Sequence, residues 1–368
     1  MAASTDMKLG HVLRKAEHGE PLSSLEVQFL LGLSKPDELG QVFKLARSLR
    51  DRHFENKVFL YSFIYFSTYC RNDCTFCYYR KSNTHPKRYR KSESEVLDAA
   101  VSAAESGVHL IDLTLGEDPF FYKRHGFSSL VELVKKVKMN TGLPVMISPG
   151  VVPDEVLNEL STAGADWFAC YQETHNKDLY KQLRLNQSYD LRFLSKQKAI
   201  SSGLLVEDGI LAGVGETLSD IAMSVESMAR LGAHQVRVMS FVPQKGTPME
   251  QSKTPPRSRE LLVIAVLRLL MPDRLIPASL DVDGIEGLQA RLDAGANVIT
   301  SLIPPKLGLA GVAQSTKDIN EGYRTVQGII PVLKQMGMRA ASLEDYYSWV
   351  IGEKEKLRVE QLQEASAL

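Results

Sequence analysis

Neither sign of charge predominates in this chain: its 368 residues carry 44 Lys plus Arg against 44 Asp plus Glu. Proteins that bind nucleic acid or an anionic membrane usually show a basic excess, so the balance supports neither partner. Long hydrophobic runs are missing too. No stretch of about 18 uninterrupted apolar residues occurs, which argues against a spanning helix. The opening residues, MAASTDMKLGHVLRKAEHGE, hold no apolar core of a secretory signal. These absences lead to the expectation of a soluble, cytoplasmic protein with no nucleic-acid and no membrane partner. Cysteine is scarce, four in all, and three of the four fall within eight residues. That is ligand spacing in a reducing compartment, not a disulfide framework. What the chain does have is apolar residues, 44% of the total. This suffices for one large core, and α/β barrels of this length form single domains.

Up to about residue 56 the pattern is helical. Ser34 is placed to cap a helix with Pro36 in its first turn, and Leu39, Val42, Phe43, Ala46 and Leu49 recur at helical spacing. The expected role of this segment is to plug or flank the bottom of a barrel. From Lys57 onward, short apolar runs alternate with amphipathic helices. Eight runs read as strands: Val58–Phe66, Val108–Thr114, Leu143–Ser148, Asp166–Gln172, Leu204–Leu211, Gln235–Phe241, Arg274–Leu280 and Ala296–Leu302. Continuous apolar character suits parallel strands covered on both faces. Ser92 with Glu95, and Thr217 with Asp220, mark helix starts between them. The expected fold is therefore α/β: a (β/α)8 barrel of TIM type over residues 57–305, with an N-terminal helical segment (1–56) and a C-terminal helical extension (306–368). In that extension, Ile319–Gln335 and Ser342–Val350 read as helices, and the charged residues from Lys354 read as frayed. Chemistry in such barrels gathers at the C-terminal ends of the strands.

Cys70, Cys74 and Cys77 follow the first strand in a CxxxCxxC arrangement. Three thiolates on one tight loop suit an iron–sulfur cluster or zinc. A zinc site normally wants a fourth ligand, and the nearby His85 lies in a flexible basic run, Lys81 to Lys91, which makes it a poor candidate. Three ligands on a cubane leave one iron open to another molecule. The basic run reads chiefly as a solvated loop, with an acidic electron donor as a second possibility. The remaining thiol, Cys170, reads as a small buried hydrophobe.

This loop resembles that of the radical S-adenosylmethionine (SAM) superfamily, in its biotin-synthase-like branch. The resemblance implies an oxygen-sensitive 4Fe–4S cluster whose open iron holds the methionyl end of S-adenosyl-L-methionine, and a low-potential electron donor such as a flavodoxin or ferredoxin. It also implies roles for particular residues. Phe76 matches the aromatic position beside the adenine. Glu117, in Thr114-Leu-Gly-Glu-Asp-Pro119, matches the carboxylate of a GGE motif, with Leu115 replacing its first glycine. Glu173, in Tyr171-Gln-Glu-Thr174, suits a ribose or ammonium, and Tyr171 shares that segment. Arg184 or Arg192 suits a carboxylate. Gly209 to Glu216 is similar to the glycine-rich segment that approaches the adenine.

Charged and hydroxyl residues also stand where apolar ones belong: Asp112, Ser148, Arg237, Ser279 and Asp281. A buried charge is costly without a partner. Arg237 and Asp112 could form one structural ion pair. The other reading is a zwitterion site, with Arg237 on a carboxylate, Asp112 and Asp281 on ammonium groups, and Ser148 and Ser279 adding hydroxyls. Stretches such as FIYFSTYC, DLTLGEDP, VEDGILAGVG and LIPASLD resemble the methylornithine synthase family of pyrrolysine biosynthesis over about residues 59–305. That family isomerises L-lysine to (2R,3R)-3-methyl-D-ornithine by fragmentation to a glycyl radical and an aminobutene, then recombination. A lyase or maturase like the FeFe-hydrogenase radical SAM factor is the nearer alternative. A non-catalytic iron–sulfur scaffold is the more distant one.

Overall fold

The computed structural model describes residues 8–124, 126–303, 309, 311 and 324–366. Its strands are β1 (Lys57–Ser62), β2 (Ile64–Ser67), β3 (Ile111–Leu115), β4 (Val145–Ser148), β5 (Trp167–Ala169), β6 (Leu205–Ala212), β7 (Gln235–Ser240), β8 (Pro277–Ser279), β9 (Val298–Leu302) and β10 (Arg339–Ala340). Its α-helices are α1 (Leu9–Glu17), α2 (Ser24–Leu31), α3 (Pro36–Phe54), α4 (Glu93–Glu105), α5 (Ser128–Thr141), α6 (Asp154–Thr162), α7 (Lys177–Leu183), α8 (Tyr189–Ser201), α9 (Leu218–Leu231), α10 (Arg257–Leu270), α11 (Leu288–Asp293), α12 (Val326–Gln335) and α13 (Leu343–Ser366).

Every strand pair is parallel, in the orders β2-β3-β4-β5-β6-β7 and β10-β1-β9-β8. Two seams join these sheets into a ring. At one, the first strand breaks at Phe63 between β1 and β2, and Tyr61 bridges to Leu110. At the other, Gln235 bridges to Leu275, with Val236 N donating to Leu275 O at 3.0 Å. Counting β1 with β2 as one position, eight strands circle the axis in sequence order, as the alternation of apolar runs implied. β5 and β8 are shorter than the sequence suggests. Pro277 opens β8 because it has no amide to offer a preceding rung.

Two apolar layers result. One lies between the strands and the surrounding helices, where α4 and α9 start with capping boxes at Ser92 and Thr217. The expected Ser34 cap is absent: Lys35 holds the N-cap position without a side-chain bond, and Pro36 is the first helical residue. The other layer fills the lower barrel, with Phe59, Tyr61, Leu110, Met146, Trp167 and Leu205 meeting Tyr346, Val350 and Leu357 of α13. Tyr346 donates its hydroxyl hydrogen to Tyr61 at 2.8 Å, and Trp349 stacks on Trp167 with centroids 5.8 Å apart. The bottom is therefore stoppered by the C-terminal helix, whereas α1, α2 and α3 lie outside against α9, α10 and α11. Of the two roles considered for the N-terminal segment, these helices flank the barrel, and Phe54 at the end of α3 packs edge-on to Phe59 in its lower layer. The residues from Lys354 continue α13 to Ser366 and are not frayed. In the extension, α12 covers the expected helix from Val326; its residues 319–323 fall outside those described. Among the described residues no helix is long and apolar enough to cross a membrane.

Candidate active site

The cysteine loop leaves β2 at the top of the barrel and is fixed by its own backbone. Arg71 N donates to Glu117 O at 2.9 Å, Thr75 N to Leu183 O at 2.8 Å, and Lys81 N to Asn72 O at 2.7 Å. Gly116 lies so close beneath that a Cβ there would stand 2.3 Å from Tyr69 O. Burial and the neighbouring thiols push the Cys70 thiol up to about 11 and the Cys77 thiol to about 12. Such thiols ionise when a cation binds them. Donors already point at the sulfurs: Gln187 Nε2 lies 3.1 Å from Cys74 Sγ, Arg184 Nη1 3.6 Å from it, and Asn72 N 3.5 Å from Cys70 Sγ. N–H groups around thiolates stabilise and tune an iron–sulfur cluster. Among the described residues no three His, Cys, Asp or Glu side chains converge on a single ion. His85, the nearby histidine, is exposed against Gly246. Three thiols on one loop with N–H donors around them fit a 4Fe–4S cluster.

Below the loop is a cavity lined both by Phe76 and Cys77 and by Asp112, Arg237, Ser279 and Asp281. Inward-facing positions of adjacent strands meet there. Arg237 Nε donates to Glu207 Oε1 at 2.6 Å, and the Tyr171 hydroxyl donates to Glu207 Oε2 at 3.1 Å. The guanidinium stands 5.5 Å from the Tyr171 ring centroid, in space that Gly209 leaves by having no Cβ. The two terminal nitrogens of Arg237 hydrogen-bond to no described residue. Asp112 therefore has no arginine of its own, and the Asp112–Arg237 ion pair considered from sequence does not form. Burial, then the Glu207 charge, push the Asp112 carboxyl up to about 7, while Arg237 and Thr114 pull the other way. Thr114 Oγ1 donates to Asp112 Oδ1 at 3.0 Å. Asp281 is paired: Arg324 Nη1 lies 2.9 Å from its Oδ1 and Nη2 3.0 Å from its carbonyl oxygen. Ser279 Oγ is 3.4 Å from Ser301 Oγ, and Ser301 has φ of 66°. Ser148 is buried at the end of β4 with its hydroxyl unpartnered, and it is not part of the lining.

The residues expected around the cofactor divide into two groups. Phe76, Tyr171 and Glu173 line the cavity, and Arg184 joins them: its Nη2 lies 2.5 Å from Glu173 Oε1 and its guanidinium 5.6 Å from the Phe76 ring centroid. Glu117 and Arg192 face a more open groove shared with Arg71 and Gln187. Arg192 Nη2 and Arg71 Nε each lie 3.0 Å from the Glu117 carboxylate. Burial alone would raise that carboxyl; Arg192, Asn72 and Arg71 outweigh it and hold it below the usual range. Gly150, with φ of 83° and no Cβ, makes room for it.

Residues 64–228 match the profile of the Radical SAM superfamily. The chain is 42% identical over 332 residues to 3-methylornithine synthase of Methanosarcina barkeri, covering 90% of this chain and 94% of the relative. It is 31% identical over 261 residues to the FeFe hydrogenase maturase subunit HydE of Thermotoga maritima, covering 70% and 74%. A crystal structure of methylornithine synthase (PylB) superposes with a TM-score of 0.88 at 42% identity, covering 92% of this chain and 99% of that one. The chain belongs to the 3-methylornithine synthase family. Identity and coverage both set it nearer to those synthases than to the maturase. Like other radical SAM enzymes, methylornithine synthases work with a 4Fe–4S cluster and SAM, and the thiols of Cys70, Cys74 and Cys77 would hold that cluster.

Several side chains of this synthase-family site escaped the sequence reading. Glu207 was legible only as a charge of unknown use in Val-Glu-Asp-Gly; its partner Arg237 becomes evident once β6 and β7 are paired. Arg324 carried no signal, because its partner is 43 residues away. His175 does not reach the cavity: it is buried, with Nε2 3.3 Å from Asp208. Cys170 is more than a small hydrophobe, for Arg192 Nη1 lies 3.1 Å from its sulfur. The basic run is not simply solvated. Arg88 donates to the carbonyls of Thr68, Tyr79 and Arg80, and Arg90 pairs with both oxygens of Asp118 at 2.6 and 2.7 Å.

Proposed function

We propose that the chain isomerises L-lysine to (2R,3R)-3-methyl-D-ornithine, drawing its electron from a low-potential carrier such as a flavodoxin or ferredoxin. The observation that carries this reading is the cavity itself. One cavity holds the face of the cluster loop, an arginine with two unbonded terminal nitrogens, and a carboxyl with no arginine of its own. When bound, the cofactors supply a 5′-deoxyadenosyl radical. The chain's own residues position the substrate and exclude water. Arg237, oriented by Glu207 and Tyr171, presents its fork to the lysine carboxylate. Asp112 and Asp281 accept from the ammonium groups, with Ser279 beside them. Anchoring both ends keeps the glycyl radical and the aminobutene together until they rejoin at a different carbon. Free thiols and an oxygen-sensitive cluster suit a reducing cytoplasm.

The test is an anaerobic incubation of the cluster-loaded protein with reductant, SAM and L-lysine, followed by mass spectrometry and chiral chromatography. A branched isomer of unchanged mass, absent with Arg237→Ala, is the expected product. SAM cleaved to 5′-deoxyadenosine over untouched lysine would overturn the substrate and leave the superfamily chemistry standing.

A further inference from the structure

The outer face of the β5–β6 pair carries a fully buried ion pair with no part in the cavity. Lys196 Nζ of α8 lies 2.7 Å from Asp208 Oδ2 of β6. Lys196 also donates to Gln172 Oε1 at 2.8 Å. Two charges withdrawn from water on an apolar face are costly, and a well-packed apolar pair of similar volume is often as stable. The other oxygen of Asp208 gives the pair a purpose. Oδ1 accepts Gln172 N at 3.0 Å and Gly209 N at 2.7 Å.

That capture changes the ladder. Ala169 pairs with Glu207, and the next pairing joins Glu173 to Ile210. Four residues advance on one strand against three on the other, which is a bulge of one extra residue at Gln172. An even parallel ladder would give the Gly209 carbonyl to the Gln172 amide; here Glu173 N takes it at 2.9 Å, and Leu211 N returns to Glu173 O at 3.0 Å. Glu173 consequently has φ of 66°, which is unusual for a residue with a side chain. Bulges beside active sites re-aim side chains. This one sets the left-handed backbone from which the Glu173 carboxylate meets Arg184, beside Phe76.

We propose that Asp208 is a positioning residue for SAM: its Oδ1 makes the bulge that sets where Glu173 meets the cofactor, while Lys196 serves to offset the buried charge. The proposal rests on the superfamily cofactor and stands whether or not lysine is the substrate. The test compares two double variants in the cluster-reconstituted protein. Lys196→Met with Asp208→Asn removes both charges and keeps the Oδ1 acceptor. Lys196→Met with Asp208→Val removes the acceptor as well. SAM affinity is read by equilibrium dialysis, alongside iron content and melting temperature. The Asn pair should bind SAM within about threefold of wild type, and the Val pair about tenfold or more weakly at equal iron content, as expected for a lost buried acceptor. Wild-type affinity in the Val pair overturns the proposal, because packing alone would then suffice. A tenfold loss in the Asn pair at full iron content also overturns it, and this second arm decides the matter if the Val pair does not fold.

Discussion

Asp112→Asn should strengthen the fold at alkaline pH while abolishing turnover. Burial and the nearby Glu207 charge bring the Asp112 carboxyl to about 7 from an ordinary 3.8. A carboxyl raised on folding binds its proton more tightly in the folded state. Its contribution is most favourable below about pH 4, is lost as pH rises to about 7, and is constant above that. At about 1.36 kcal/mol per tenfold change in proton affinity, ionised Asp112 costs the fold about 4 kcal/mol at pH 8. Of this, about 2 kcal/mol develops between pH 5.5 and 8.5. Asn has nearly the same shape and no such dependence. The assay is thermal unfolding under argon at both pH values, wild type and variant side by side. The variant should gain on wild type by about 2 kcal/mol across that range, an effect of several degrees at most in a chain of this length. Lysine should protect the wild type more strongly at the higher pH, where the ionised carboxylate meets its ammonium, and should not protect the variant. A stability gap unchanged between the two pH values would refute the assignment of a titrating Asp112 to the cavity.

Three other outcomes follow from the same geometry. Arg237→Met should raise the lysine KM about 100-fold through loss of a charge-assisted fork, with SAM affinity unchanged by dialysis; Arg237→Lys should recover little of it, since a single ammonium cannot hold Glu207 and a carboxylate in one plane. Gly116→Ala should leave the barrel folded by circular dichroism and strip most of its iron, because the new Cβ would fall 2.3 Å from Tyr69 O and 3.0 Å from Cys70 Cβ. Tyr346→Ala should lower stability by about 3–5 kcal/mol in a chemical melt, as expected for a buried aromatic ring removed from a packed floor.

The barrel was legible because each of its strands is a local event: a short unbroken apolar run closed by a turn, repeated eight times. The cysteine loop was legible for the same reason, with its three thiols within eight consecutive residues. Asp112, Arg237 and Asp281 stood out as charges among apolar neighbours. Their partners did not, because pairing depends on register and on distant chain. Nothing in Val-Glu-Asp-Gly tells whether Glu207 or Asp208 faces inward until β6 is aligned with β7. Arg324 reaches Asp281 from beyond the last strand. The floor was misplaced for a related reason. The run from Lys354 is dense in charge and reads as solvent-exposed, yet Tyr346, Val350 and Leu357 lie at helical spacing on a single face of α13.

That stopper has a kinetic consequence. Asp112 and Arg237 sit part-way down β3 and β7, whereas Phe76 and Cys77 belong to the loop above the strand tops. With α13 across the bottom, traffic to the deeper residues passes the cluster loop. On the proposed function, a substrate held by Asp112 and Arg237 would enter before the cofactor seated above it and depart after it, so that loading would have an order.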